Sequence, residues 1–273
     1  MINPCSDRKF LYKTNIALLS KPVIQWFTHL SQRVGLENTL LMWKKAFVDY
    51  DDTLLMKILS SGWQRVGQPD HEPADEEMNL LWLKIRNLTN QVFSTTVIKS
   101  AIENTPPIFH INNLFSQDTI AKEISAYDVL HIKFDSLAYL AETLIEQFGK
   151  EGELIVYDLM LESRLASSQD NKGSVEEFIE DFTAIPDTPD MFSAGLDFEV
   201  ISKSPKEAIL HVKQCEWARY FREHHPNVGY LLACSTDEAG FRAFNQDLRL
   251  QRTKTIMEGG ELCDFRVFTI AAE

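Results

Sequence analysis

The feature that most narrows the fold is a change of hydrophobic period in the last third of the chain. Phe198-Glu199-Val200-Ile201-Ser202 and Ala208-Ile209-Leu210-His211-Val212-Lys213 have the alternation of half-buried strands. Between them, Lys203-Ser204-Pro205-Lys206-Glu207 has the composition of a hairpin loop. Leu250 to Met257 and Cys263 to Ile270 form a second predicted strand pair, joined around Gly259-Gly260. Residues 215–246 between the pairs have helical texture. The order is helices, strand pair, helices, strand pair. It predicts an α+β fold with a helical N-terminal half and a C-terminal antiparallel sheet, with helices packed on one face.

The first ninety residues read as helix. Ile16, Leu19, Val23, Trp26, Phe27 and Leu30 recur at helical spacing, and Leu40, Leu41, Trp43, Phe47 and Tyr50 form a second stripe. A third helix carries Leu54, Leu55, Ile58, Leu59 and Trp63. Gly67 to Ala74 is a loop, and Glu76 to Val92 is helical again. These stripes are core, or the interface of a homodimer. Thr105-Pro106-Pro107 breaks the pattern, with a short strand expected at Ile108 to Ile111. The division falls into a helical N-terminal region, 1–115, and an α+β domain, 116–273. Two long helices follow, one ending at Gly149 and one fading into the loop 167–173. Ser174 with Glu177 spells a capping box that opens a further helix.

Composition removes several function classes. The net charge of -13 repels phosphate backbones and anionic lipid, so neither nucleic acid nor membrane is an expected partner. No stretch is long and apolar enough to span a bilayer, and the N-terminus has no signal-peptide pattern. The expected location is cytoplasmic, with the cysteines reduced. Gly-x-Gly-x-x-Gly, Walker, Gly-x-Ser-x-Gly and His-Glu-x-x-His motifs are all absent.

Three of four cysteines, Cys215, Cys234 and Cys263, fall at predicted element ends in the last third, where folds present functional groups. They sit in Cys215-Glu216-Trp217, in Cys234-Ser235-Thr236-Asp237, and in the run from Arg252-Thr253-Lys254-Thr255 to Gly260-Glu261-Leu262-Cys263-Asp264-Phe265. This composite resembles the L-2-amino-thiazoline-4-carboxylic acid hydrolase family over about residues 200–270, and the helical pair at 135–165 is compatible with it. The resemblance implies hydrolysis of a small cyclic amidine as substrate, without a cofactor. A thiolate is a strong nucleophile toward a carbon between two heteroatoms. Cys263 ranks first as that nucleophile, because the Gly-Gly turn beside it opens the backbone to a ligand. Cys234 ranks second. Asp237 or Asp264 would orient water or shuttle a proton. Arg252 would either lower a thiol pKa or hold a substrate carboxylate. Cys215 and Thr255 complete the expected substrate-binding set.

The same run is more distantly similar to 4-vinyl-reductase-type ligand-binding domains, which implies a binding module without turnover. Some members of that group hold zinc through cysteines. Here Thr255 and Arg252 occupy the strand where further ligands would be needed. Zinc would require the fold to gather Cys215, Cys234 and Cys263. Each cysteine taken alone reads more simply as core filler. His224-His225-Pro226 reads as a loop, and His211 should face away from Leu210 and Val212.

Overall fold

The computed structural model describes residues 4–15, 26, 29–48, 64–65, 119–166, 173–184 and 192–270. The third helical stripe, the loop at 67–74, the helix at 76–92 and the strand at 108–111 lie outside them. The fold is α+β. Its contacts divide it into two compact units, one of residues 1–10, 125–130 and 144–273, the other of residues 11–124 and 131–143.

The second unit contains helical residues 29–34 and helix α1, Leu36–Val48. Thr39, Met42 and Ala46 are buried on α1, while Leu41, part of the predicted stripe, is 60% exposed. The sequence reading of this half as helix leaves out a sheet. Strands β1 (Lys9–Asn15), β2 (Gln64–Arg65) and β3 (Thr119–Ser125) form it in the order β1-β3-β2. In β1, Phe10 is buried between exposed Lys9 and Leu11, the two-residue alternation of a strand.

Ser125 ends β3 and opens helix α2, Ala126–Phe148. Its hydroxyl accepts the Asp128 N–H, and Asp128 returns the bond to the Ser125 N–H. The predicted end holds: Gly149 caps α2 with φ 56° and donates its N–H to the Ile145 carbonyl. Helix α3 is Lys150–Ala166. No helix among the described residues is long and apolar enough to cross a membrane.

The first unit is built on a four-stranded antiparallel sheet of β4 (Leu196–Lys203), β5 (Glu207–Cys215), β6 (Leu248–Gln251) and β7 (Cys263–Thr269), ordered β4-β5-β7-β6. Register puts Ala208 opposite Val267, Leu210 opposite Phe265 and Val212 opposite Cys263, all buried on one face. The intervening pairs, Ile209 with Arg266 and His211 with Asp264, belong to the other face, as alternation requires.

Two helices cover the buried face. Helix α4, Val175–Thr183, is opened by the predicted capping box of Ser174 and Glu177. Val175, Phe178, Ile179 and Phe182 recur at i, i+3, i+4 and i+7, so one side of α4 is apolar. Phe178 packs edge-on to Phe241 at 4.8 Å and to Phe244 at 4.9 Å. Those two rings belong to helix α6, Asp237–Phe244. Burying a side chain such as Phe178 stabilises by about 1.5–3 kcal/mol. Between β5 and α6 run helix α5 (Glu216–His224) and a five-residue π turn (Tyr230–Cys234), closed by Ser235 N–H to the Tyr230 carbonyl at 2.9 Å.

The last predicted hairpin differs in detail. Strand β6 ends at Gln251 rather than Met257, so residues 252–262 form a long connection, and Arg252 and Thr255 stand on it. Its bonds are local. The Thr255 hydroxyl donates to Glu258 at 2.8 Å and accepts the Glu258 N–H at 3.0 Å. Gly260 donates to the Thr255 carbonyl at 2.8 Å. A Cβ on Gly260 would stand 2.8 Å from that same oxygen. The missing side chain at Gly260 is therefore filled by the protein's own backbone; only Gly259, at φ 93°, faces open space.

Candidate active site

Cys215 ends β5 and caps α5, where its Sγ accepts the Ala218 N–H at 3.3 Å. Sulfur replaces the usual oxygen of a helix cap, so this thiol lies at the positive end of the helix. Cys263 opens β7, is buried, and accepts the Ile256 N–H at 3.2 Å. Cys234 closes the π turn, half-buried. A negative charge on any one of the three would raise the pKa of Cys234 or Cys215, so they are electrostatic neighbours.

A buried ion pair stands among them. Arg252 Nη1 donates to Asp237 Oδ2 at 2.6 Å, with the side chains 10% and 6% exposed. Arg252 Nη2 donates to the Cys234 carbonyl at 3.1 Å and to the Tyr230 hydroxyl at 3.4 Å. The guanidinium also lies over the Phe265 ring, 5.4 Å from its centroid. Asp237 is the first residue of α6, where a carboxylate is favoured by the helix dipole.

Burial dominates the titration of this cluster. It raises Cys215 and Cys234 far above the ordinary thiol range. It raises Cys263 too, against the Ile256 N–H and the Arg252 charge, which pull the thiol down. Burial also raises the Asp237 carboxyl, while Arg252 and Arg164 act against it. Burial opposes the Arg252 charge, but Asp237 outweighs it and raises the guanidinium above its usual value.

Five of the residues singled out in the sequence therefore belong to one cluster: Cys215, Cys234, Cys263, Asp237 and Arg252. Asp264 is turned away, because adjacent strand residues face opposite sides. Its carboxylate accepts the N–H groups of Thr253 at 2.9 Å and Lys254 at 2.6 Å. Burial acts upward on it, but those bonds hold the carboxyl below its usual value. Asp264 thus fastens the 252–262 connection. Thr255 spends its hydroxyl on Glu258, as described. Among the described residues, no three His, Cys, Asp or Glu side chains are disposed to hold a metal ion.

Sequence reasoning missed the π turn, the part of Tyr230 and the Ile256 N–H. A π turn adds one residue within a helical pattern and leaves no periodic signal. Backbone donors leave none at all.

No curated protein and no solved structure matched the chain. A family model did match, over residues 131–267, and its description is L-2-amino-thiazoline-4-carboxylic acid hydrolase. The matched segment carries all five residues of the cluster and spans half the chain. The protein thus belongs to the L-2-amino-thiazoline-4-carboxylic acid hydrolase family.

Proposed function

We propose that the protein is a hydrolase of the thiazoline-carboxylate type, opening a small cyclic amidine with Cys263 as nucleophile. The observation that carries the reading is the gathering of Cys263, Cys234 and Cys215 around the buried Arg252–Asp237 pair inside the family-matched segment. Cys263 is the favoured nucleophile because a backbone N–H and a guanidinium both stabilise its anionic form.

Sγ of Cys263 forms a bond to the amidine carbon, and its proton passes to the Asp237 carboxylate. A ring bond at that carbon then breaks, and the departing heteroatom takes the proton. A thioimidate remains on Cys263. Water adds to it, and its collapse releases the opened product and regenerates the thiol. The reaction uses only groups of the chain and water. Burial brings donor and acceptor together: a raised Asp237 is a better base for a thiol than an ordinary carboxylate. Arg252 has both terminal nitrogens engaged, so its part is to position Asp237 and the Cys234 turn.

One observation favours a second reading, a ligand-binding module without turnover: burial holds all three thiols protonated. Steady-state hydrolysis of L-2-amino-thiazoline-4-carboxylate separates the two. The hydrolase reading requires turnover by the wild type and a loss of at least about a thousandfold in Cys263→Ala, the scale of removing a covalent nucleophile. Saturable binding without turnover would replace it with the second reading.

A further inference from the structure

The stretch Cys234-Ser235-Thr236-Asp237 holds a polar atom that the chemistry above leaves unused. Thr236 is 1% exposed, and its Oγ1 has no hydrogen-bond partner in the protein. The residue stands at the N-cap of α6, where a threonine oxygen ordinarily accepts a first-turn N–H. Here the backbone lies at φ -108° and ψ 14°, outside the extended conformation of a working cap, and the side chain makes no capping bond. The helix is closed instead by the Thr236 carbonyl, which accepts the Gly240 N–H at 3.0 Å. The neighbouring hydroxyl, on Ser235, is spent on the Leu231 carbonyl at 2.6 Å.

Buried hydroxyls in native proteins nearly always have a partner, and exceptions concentrate where a ligand supplies it. Asp237, next in the chain, fixes which part of a ligand suits this spot. Its carboxylate repels the carboxylate end of a thiazoline acid and attracts the amidine end, whose nitrogens carry N–H donors. We propose that Thr236 is a specificity-determining residue, its Oγ1 accepting an N–H from the amidine nitrogen of the bound substrate. The proposal rests on the hydrolase reading given above.

The test compares 2-amino-thiazoline-4-carboxylate with 2-methyl-thiazoline-4-carboxylate, which is nearly the same shape and lacks the exocyclic N–H. KM for the amino compound is set against the inhibition constant of the methyl compound in wild type, Thr236→Val and Thr236→Ser. The wild type should prefer the amino compound by roughly tenfold to a hundredfold, the scale of one buried hydrogen bond lost or left unpaired. Thr236→Val should abolish most of that preference, and Thr236→Ser should keep it. Thr236→Val should also melt at or above the wild-type temperature, because it removes an unpaired hydroxyl. A Thr236→Val protein that keeps the preference overturns the assignment of Thr236 alone. One that unfolds, or melts well below the wild type, shows that the hydroxyl is held by the fold and overturns it equally. A wild type that neither binds nor hydrolyses the amino compound overturns the hydrolase reading, and this proposal with it.

Discussion

Replacing Arg252 with methionine should damage the fold more than any exposed charge change. The guanidinium donates to Asp237 at 2.6 Å and to the Cys234 carbonyl at 3.1 Å, and solvent reaches little of the pair. Removing one member of a buried ion pair leaves the other charged and unpaired, at about 3–5 kcal/mol. The lost bond to Cys234 overlaps with that cost, so the expected loss for Arg252→Met is about 4 kcal/mol rather than a larger sum. Denaturant unfolding at neutral pH measures it. The exposed pair of Arg266 and Glu207 supplies a control, since Arg266→Gln should change stability by no more than about 1 kcal/mol. Adding Asp237→Leu to Arg252→Met should restore part of the loss, because the stranded carboxylate is gone. The sign with pH follows from the same group. Burial raises the Asp237 carboxyl in the fold, so its contribution is fully present below its unfolded pKa and is lost as pH rises through the folded one. Without Arg252 this becomes steeper, so the deficit of Arg252→Met should shrink as the pH is lowered toward the carboxylate range. A loss below about 1 kcal/mol, or a double variant no better than the single one, would refute the argument that this pair is buried and coupled.

Two further outcomes follow from the same geometry. The Cys215 and Cys234 thiols are raised by burial above their ordinary value of 9.0, so stability should fall as pH rises above it, by roughly 1.4 kcal/mol per pH unit for each thiol. Cys215→Ser should remove one thiol's share of that alkaline slope, read by unfolding at a series of pH values. A Cβ on Gly229 would lie 2.6 Å from the Phe221 Cβ and 2.8 Å from the Met257 Sδ, so Gly229→Ala should cost about 1–3 kcal/mol in denaturant unfolding.

What could be read from the sequence was what is decided locally. Ser174 and Glu177 are three residues apart, and their capping box forms as spelled. Gly149 ends α2, and the strand pair around Ser204 closes as a hairpin because its partners are neighbours in the chain. The place of β7 between β5 and β6 depends on pairing Val212 with Cys263, and local pattern does not carry a contact over that separation. The three-stranded sheet escaped for the same reason, since Gln64 pairs with Ala121. In the site, residue types pointed to Cys263, Cys234, Cys215, Asp237 and Arg252, and the fold gathers them. Roles were harder to read. Asp264 differs from Cys263 by one position, yet strand alternation puts it on the other face. Thr255 is occupied by Glu258, three residues on, in a turn that resembled strand. Thr236 stood out by no pattern, because an unpaired hydroxyl is a property of packing.

The central claim is a covalent step at Cys263, and rapid acid quench followed by peptide mass spectrometry tests it most directly. Wild-type protein mixed with L-2-amino-thiazoline-4-carboxylate should show a transient mass increase on the peptide carrying Cys263, and none on those carrying Cys215 or Cys234. Turnover without any adduct on Cys263, or an adduct on another cysteine, would contradict the account.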